Sequence, residues 1–245
     1  MTVPLREGGR RAHVFVTLHF FQKCQIRQMK SQDRILDAAT LVFLRHGFRR
    51  SSIEQAAETA GLTRQALYHH FKSKEALFRA VIERAYKAAL AAGTAAAAAA
   101  EEADGSLVDI VLAEVGGRLS HLVTAFEGSP HVEELLSEHL LQARDLYQQY
   151  AALYSAQVAA TIERACRKQH LAIRAGMTPR ELARCVEMAI NGAKSMNPAM
   201  QPLKSFLADL DTMVRTLVAG AVAPAPRPSK LKVAKKSVRK PGDRK

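Results

Sequence analysis

Apolar residues recur at helical spacing along most of the chain from residue 32 to residue 222. In the first such segment, residues 32–46, the apolar side chains share one helical face: Ile35, Ala38, Ala39, Val42 and Phe43. Gly47 follows as a stop signal for this helix. No long run alternates apolar with polar side chains, as a half-buried strand would require. The pattern therefore predicts an all-α fold.

Two short helices joined by a tight turn are predicted directly after the first helix. Ser51 and Ser52 are alternative N-caps for the first of the pair, which ends at Ala60. Gly61 permits the turn, and Thr63 is a suitable N-cap for the second. This arrangement is typical of a helix-turn-helix, whose second helix lies in the major groove of DNA.

The rest of the chain continues the helical pattern. Ser73 caps a fourth helix that runs into an Ala-rich stretch, residues 88–100, which either extends the helix or forms a hinge. Further helices are predicted over about 107–126, within a long stretch 131–170, and over about 178–194 and 203–222. These segments contain enough apolar residues for a second, larger core.

The formal net charge of +13 lies in the two ends of the chain. Residues 1–30 carry +5 and residues 224–245 carry +8, whereas residues 31–223 hold 21 basic and 21 acidic side chains. Within that neutral middle, residues 45–74 carry +4. Basic tails favour indiscriminate attraction to nucleic acid, so sequence-specific recognition must depend on positioned residues in the middle.

Four segments follow from these patterns. Residues 1–30 are an extension, either a disordered or strand-forming arm or an over-extended reading from a true start at Met29. Residues 31–78 form the helix-turn-helix domain, and residues 79–223 a larger helical domain. Residues 224–245 are a Pro- and Lys-rich tail that we expect to be disordered.

Cysteine and membrane signals are weak. The three cysteines are far apart and show no metal-ligand spacing, so neither a disulfide framework nor a metal site is predicted. The apolar segment 14–21 is too short to span a bilayer and is not followed by a cleavage site. We therefore expect a cytoplasmic, nucleoid-associated protein with no membrane partner and no cofactor.

About 50 residues resemble the N-terminal domain of TetR/AcrR-family transcriptional regulators. The matching positions are Ile35-Leu36-Asp37-Ala38-Ala39, Phe43, Gly47-Phe48, Ser51-Ser52-Ile53, Ala57, Ala60-Gly61-Leu62-Thr63, Leu67-Tyr68-His69-His70-Phe71 and Lys74-Glu75-Ala76-Leu77-Phe78. Two positions depart from the family pattern: Ala56 replaces a larger Ile or Val, and Ala66 replaces Ser, Thr or Gly. The resemblance implies a three-helix DNA-binding domain, a larger helical ligand-binding domain and a homodimer.

The candidate DNA contacts cluster around the predicted recognition helix. Arg64 and Gln65 in its first turn can bond guanine and adenine edges. Tyr68 and His69 lie one turn later and are candidates for phosphate contacts. Lys74 opens the fourth helix, where a phosphate would also meet the positive helix terminus. The hydroxyls of Ser51, Ser52 and Thr63 can bond phosphates as well as cap helices.

Candidates in the helical domain are fewer. Tyr147, Tyr150 and Tyr154 share one helical stripe, which indicates either core packing or the wall of a ligand cavity. The amphipathic segments 178–194 and 203–222 fit the four-helix dimer interface that the family implies. Its seam is predicted at Val186, Ala189, Ile190 and Ala193.

Three classes of function remain to be compared. The first is a DNA-binding repressor that binds a palindromic operator as a homodimer and is released by a small-molecule effector. The second is a nucleoid-type architectural protein that binds DNA through its basic tails. The third, an enzyme, lacks any nucleophile–base pair, metal spacing or phosphate loop in the sequence, so we expect no enzymatic activity.

Overall fold

The computed structural model describes residues 31–225, and the predictions for residues 1–30 and 226–245 lie outside it. Helices dominate the described range. They are α1 (Ser31–Arg50), α2 (Ile53–Thr59), α3 (Arg64–His70), α4 (Lys74–Glu102), α5 (Leu107–Thr124), α6 (Val132–Gln142), α7 (Arg144–Lys168), α8 (Pro179–Met196) and α9 (Leu203–Ala221). Two three-residue strands, β1 (Leu171–Ile173) and β2 (Val222–Pro224), pair antiparallel. The predicted all-α class is confirmed.

The predicted end of the first helix is also confirmed. Gly47 has φ of +75°, which interrupts α1 three residues before its last residue. The chain turns there because glycine lacks the Cβ that makes a positive φ costly for other residues. A Cβ at this position would also collide with the carboxylate of Glu134, so α6 packs directly against the bend.

The helix-turn-helix forms from local hydrogen bonds. Ser52 is the N-cap of α2, and Gln55 completes a reciprocal capping box with it. Gly61 turns the chain with φ of +66°. The hydroxyl of Thr63 then accepts a hydrogen bond from the backbone N–H of Ala66 and starts α3. Each of these signals is readable from sequence, which is why this segment was predicted closely.

Two hydrophobic cores lie along α4. The first joins α1, α2, α3 and the start of α4 and includes Phe43, Phe48, Leu67 and Phe78. It continues past residue 78 along α4 and takes in Tyr150 from α7. The second core is formed by α5, α7, α8 and α9 and the far end of α4. Because α4 contributes to both cores, a shift of this helix would change the packing in each.

The Ala-rich stretch extends α4 as continuous helix; it does not form a hinge. Its small side chains allow α5 to pack unusually close. A Cβ at Gly117 of α5 would lie 2.8 Å from the Cβ of Ala96 and 3.0 Å from the carbonyl oxygen of Ala92. The composition therefore has a packing explanation, since larger side chains would separate the two helices.

The long stretch 131–170 contains a break that the sequence did not indicate. The chain leaves helical geometry at Ala143, between α6 and α7. Arg79 of α4 stabilises the chain at this break, since its guanidinium donates to the carbonyl oxygen of Gln142 at 2.6 Å and to both carboxylate oxygens of Asp145 at 2.6 and 2.7 Å.

In the described range, every helix is too short or too polar to cross a membrane.

Candidate nucleic-acid interface and effector cavity

One face of α3 is buried and the opposite face is open to solvent. Leu67 is fully buried and anchors the helix in the first core. Arg64, Gln65 and His69 are exposed on the outer face, and Tyr68 is partly buried at its edge. The structure thus brings four of the predicted contact residues onto a single short helix that can approach DNA.

Arg64 already has a partner in the protein without DNA. Its Nε lies 2.8 Å from Oε1 of Glu54 on α2, and its guanidinium carbon lies 5.4 Å from the centroid of the Tyr68 ring. Both charged side chains are largely exposed. Such an ion pair contributes little stability in water. We infer that Glu54 orients the Arg64 side chain and is a weak competitor for any DNA group that would bind it.

Ser51 does not have the geometry of a phosphate contact. Its side chain is buried, and its hydroxyl donates to backbone carbonyl oxygens of Gly47 and Val42. The predicted contact is corrected for this reason, because the only donor of this hydroxyl is used inside the domain. Ser52 and Thr63 remain at the surface end of their helices, where each hydroxyl accepts a capping hydrogen bond and keeps its own proton to donate.

Lys74 is likewise a structural residue. Its Nζ donates to the carbonyl oxygens of Phe48 at 3.0 Å, Ser51 at 3.1 Å and Arg49 at 3.3 Å, and lies 4.5 Å from the centroid of the Phe48 ring. An ammonium has three donors, and all three are used here. The predicted phosphate contact is therefore corrected: Lys74 ties the end of α1 to the start of α4.

A cavity of about 480 Å³ lies behind the DNA-binding domain, among α4, α5 and α6. Apolar side chains such as Leu122, Phe126 and Leu136 form most of its wall. Its volume is in the range of small-molecule sites. The polar groups in the wall include Tyr86, Arg118, His139, Tyr147 and Lys194.

The tyrosine stripe is divided between cavity and core. Tyr147 lines the cavity, as the prediction for a ligand site requires. Tyr150 and Tyr154 do not, and the prediction is corrected for both. Tyr150 stacks on Tyr86 at 5.1 Å between ring centroids, and Tyr154 is buried in the second core. Tyr154 points in nearly the same direction from α7 as Tyr147, but it lies seven residues, or about 10 Å, further along the helix, where it reaches the second core.

Residues 35–81 match the family model for bacterial regulatory proteins of the tetR family. The helix-turn-helix domain of this chain is therefore similar to the corresponding domain of that family. The match covers the helix-turn-helix and the start of α4, which are the segments whose geometry is described above.

Named relatives are similar over a comparably short part of the chain. The transcriptional regulator UidR of Escherichia coli is 37% identical over 67 residues, or 27% of this chain and 34% of its own length. The repressor BepR of Brucella suis is 41% identical over 56 residues, or 23% of this chain and 27% of its own length. The chain thus matches about a third or less of the length of these relatives.

The helical domain is similar to solved structures in fold. A tetR-family structure from Mesorhizobium loti superposes with a TM-score of 0.57 at 20% identity, over 79% of this chain and 97% of that one. At this identity the likeness extends to the architecture alone. It covers the larger helical part, which the sequence match leaves out.

A polar contact joins the helix-turn-helix domain to the cavity wall. On α6, Glu134 accepts a hydrogen bond from the backbone N–H of Arg49 at 2.7 Å, and the buried Glu138 forms an ion pair with the Arg49 side chain at 2.9 Å. Ser129 adds a 2.7 Å hydrogen bond to the carbonyl oxygen of Leu44. Sequence reasoning missed these residues because their partners lie about 85 positions away.

The predicted dimer seam faces inward in this chain. Val186, Ala189 and Ile190 are buried in the second core, and Ala193 packs against it. The prediction is corrected because these residues already have partners within one subunit. The apolar stripe of an amphipathic helix indicates burial but does not say whether the partner is the same chain or another.

Proposed function

We propose that the protein is a DNA-binding transcriptional repressor whose affinity for an operator is controlled by a small molecule. The observation that carries this function is the outer face of α3, where Arg64, Gln65 and His69 are exposed on a helix anchored by the buried Leu67. Arginine and glutamine are side chains suited to base edges in the major groove. The sign of regulation is supported by the name of BepR, a repressor.

The DNA contacts are proposed in two groups. Arg64 and Gln65 read base edges, and Arg64 exchanges Glu54 for a guanine when DNA arrives. Tyr68, His69, Thr63 and Ser52 bind phosphates and fix the register of the helix, because such contacts position a protein without reading sequence.

A homodimer is proposed through the outer faces of α8 and α9. Met188 on α8 is 63% exposed and Met213 on α9 is 38% exposed, and small residues such as Ala208 and Thr212 lie exposed on α9. Large exposed apolar side chains on adjacent helices are typical of an interface. A dimer would place two copies of α3 in successive major grooves, about 34–36 Å apart.

The dimer is expected to have twice the 26.9 kDa mass of the chain in sedimentation equilibrium. Met188→Glu is expected to shift the protein toward monomer, because the interface would have to bury a charge without a partner. Met196→Glu, an 88% exposed methionine at the last residue of α8, is the matched comparison. An unchanged monomer–dimer equilibrium in Met188→Glu would rule out this face.

The effector is proposed to act through α6. This helix contributes Leu136 and His139 to the cavity wall and Glu134 and Glu138 to the contact with Arg49. An occupant that displaces α6 would also displace the end of α1 and change the spacing of the two recognition helices. The response is then limited by the difference in effector affinity between the two arrangements.

A cavity-filling substitution is expected to mimic the effector. Leu136→Trp should lower operator affinity by on the order of 5- to 150-fold, the usual range of allosteric coupling. In the background Glu134→Gln/Glu138→Gln the same substitution should have a smaller effect, because the link to α1 is weakened. The operator duplex is one recovered by selection with the protein, and affinity is measured by fluorescence anisotropy.

The control for this substitution is Leu141→Trp on the same helix. Leu141 is 70% exposed and does not line the cavity, so its replacement should leave operator affinity unchanged. If Leu136→Trp keeps full operator affinity while circular dichroism shows a folded protein, the route through α6 is wrong.

A further inference from the structure

Two positively charged side chains meet in the wall of the cavity. Arg118 comes from α5 and is 7% exposed, and the partly buried Lys194 comes from α8. Within residues 31–225, no carboxylate lies within ion-pair distance of either group. Arg118 instead lies over the ring of Tyr154, with 3.9 Å between the guanidinium carbon and the ring centroid. The two least exposed charged side chains of this wall are therefore both positive.

Four acidic side chains lie near these cations, and one of them, the partly buried Glu187 of α8, acts on Lys194 from beyond ion-pair distance. Glu114 is fully buried one turn before Arg118 on α5; its Oε1 accepts a hydrogen bond from Gln157 at 2.8 Å, and its Oε2 has no hydrogen-bond partner among the described residues. Glu127 and Glu133 belong to the cavity wall and are exposed to solvent. None of these acids forms an ion pair with Arg118 or Lys194, so both cations keep hydrogen-bond donors for a ligand.

His139 and the apolar side chains of the cavity wall carry no charge, so they do not offset the positive charges of Arg118 and Lys194. His139 is hydrogen-bonded to the hydroxyl of Tyr86, and burial, followed by the charge of Lys194, lowers the pKa of His139 to about 4. It is therefore uncharged near pH 7. The other parts of the wall are mainly apolar, including Leu122, Phe126 and Leu136.

We propose that the cavity binds an amphipathic organic anion, with its acid group between Arg118 and Lys194 and its apolar body against the aliphatic and aromatic wall. Arginine binds carboxylates through two parallel hydrogen bonds, which fixes the orientation of the acid group. A buried charge without a partner is costly, and an anionic ligand removes that cost for both cations. The inference extends the proposed function by naming the chemical class of the effector, but binding itself does not depend on DNA.

The test compares ligands that differ only in charge. Decanoate, decanol and decylammonium are titrated into the full chain by isothermal calorimetry at pH 7, and 2-naphthoate and 2-naphthamide provide a second shape. Each carboxylate is expected to bind about 10- to 100-fold more tightly than its neutral analogue, as hydrogen bonds to charged groups would give. Decylammonium is expected to bind most weakly, because it meets two like charges.

Variants of single positively charged residues test whether the preference for carboxylates depends on Lys194 and Arg118. Lys194→Met should reduce the preference for decanoate over decanol at least tenfold, and should leave the thermal midpoint of the empty protein unchanged or higher. Arg118→Lys should keep part of the preference, because it keeps the charge and loses the paired geometry. Arg180→Met removes one positive charge from an exposed position on the same helix, 14 residues or about 21 Å from Lys194, and should have no effect.

Proton uptake gives a second signature. Burial, and then the charge of Arg118, lower the pKa of Lys194 to about 8, so about half of this side chain is neutral at pH 8. A bound carboxylate favours the charged form and raises that pKa, so binding at pH 8 should take up a fraction of a proton. The charged and titratable groups around Lys194 are Arg118 of α5, His139 of α6, Tyr86 of α4, Tyr147 of α7, and Glu187 of α8. Calorimetry in buffers of different ionisation enthalpy measures the uptake.

The outcomes separate this inference from the proposed function. Equal affinity for decanoate and decanol, tighter binding of decylammonium, absence of decanoate binding, or a preference that survives in Lys194→Met would each overturn the anion site. Charge-dependent binding of decanoate that leaves operator affinity unchanged would support the site and contradict effector control by this ligand class. Operator binding that persists without any decanoate site would leave the DNA-binding function intact.

Discussion

Arg64→Ala is expected to lower operator affinity on the order of 30-fold or more while affinity for random duplex falls only slightly. A bidentate arginine–guanine contact contributes about 1–3 kcal/mol of discrimination. A dimer would lose two of them, one in each half-site. Fluorescence anisotropy with operator and scrambled duplexes, at one fixed salt concentration, measures both affinities.

The matched control removes the partner of Arg64 and keeps the arginine. Glu54→Gln breaks the 2.8 Å ion pair and removes a negative charge from the same surface. Operator affinity should stay the same or rise, because no base contact is lost and phosphate repulsion decreases. An equal loss on operator and scrambled DNA in Arg64→Ala would show that this residue is a phosphate contact.

Lys74→Met is expected to destabilise the DNA-binding domain. The substitution leaves the carbonyl oxygens of Phe48, Arg49 and Ser51 without the donor that now holds them. Hydrogen bonds to charged groups contribute about 1.5–3 kcal/mol each when buried, and these are only partly buried, so a total of about 2–4 kcal/mol is expected. For a chain of this size the thermal midpoint should fall by roughly 5 to 15 °C.

Lys72→Met provides the comparison for this effect. Lys72 is exposed and has a single 3.4 Å hydrogen bond to the carbonyl oxygen of Tyr68. Its removal should hardly change the thermal midpoint measured by circular dichroism. If Lys74→Met matched Lys72→Met in stability and only weakened DNA binding, the original interpretation of Lys74 as a phosphate contact would be restored.

The parts of the fold that the sequence predicted are those formed by local interactions. The caps at Ser52, Thr63 and Ser73, and the turns at Gly47 and Gly61, depend on residues within four positions of one another. Their side-chain chemistry is sufficient to place the helix boundaries. The recognition helix was found this way, together with its exposed polar face.

The predictions that were wrong concern residues whose contacts are made with residues distant in the chain. Lys74 bonds carbonyl groups more than 20 positions earlier, and the strand pair joins residues 171–173 to 222–224. The predicted dimer seam had the correct apolar periodicity, but Val186 and Ile190 pack within their own subunit. Periodicity reports which side chains are buried, while the identity of the partner depends on the tertiary arrangement.

The contact of Glu134 and Glu138 with Arg49, on which the proposed control of DNA binding depends, could not be predicted from the sequence for the same reason. Acidic residues on an amphipathic helix are usually solvated, and nothing in their spacing indicates a link to Arg49. Only the fold brings the end of α1 against α6. The proposed route from cavity to DNA could therefore not be predicted from sequence.

Selection of bound sequences from a pool of randomised duplex DNA tests the central claim most directly. The experiment uses the full chain and a variant lacking residues 226–245, which carry nine of the basic side chains. The proposed function predicts that both select the same two-fold symmetric sequence with half-sites about one helical turn apart, and that the variant shows a smaller salt dependence. Absence of any enriched sequence, or loss of all DNA binding with the tail, would contradict recognition by α3 and favour an architectural protein that binds DNA through its charge.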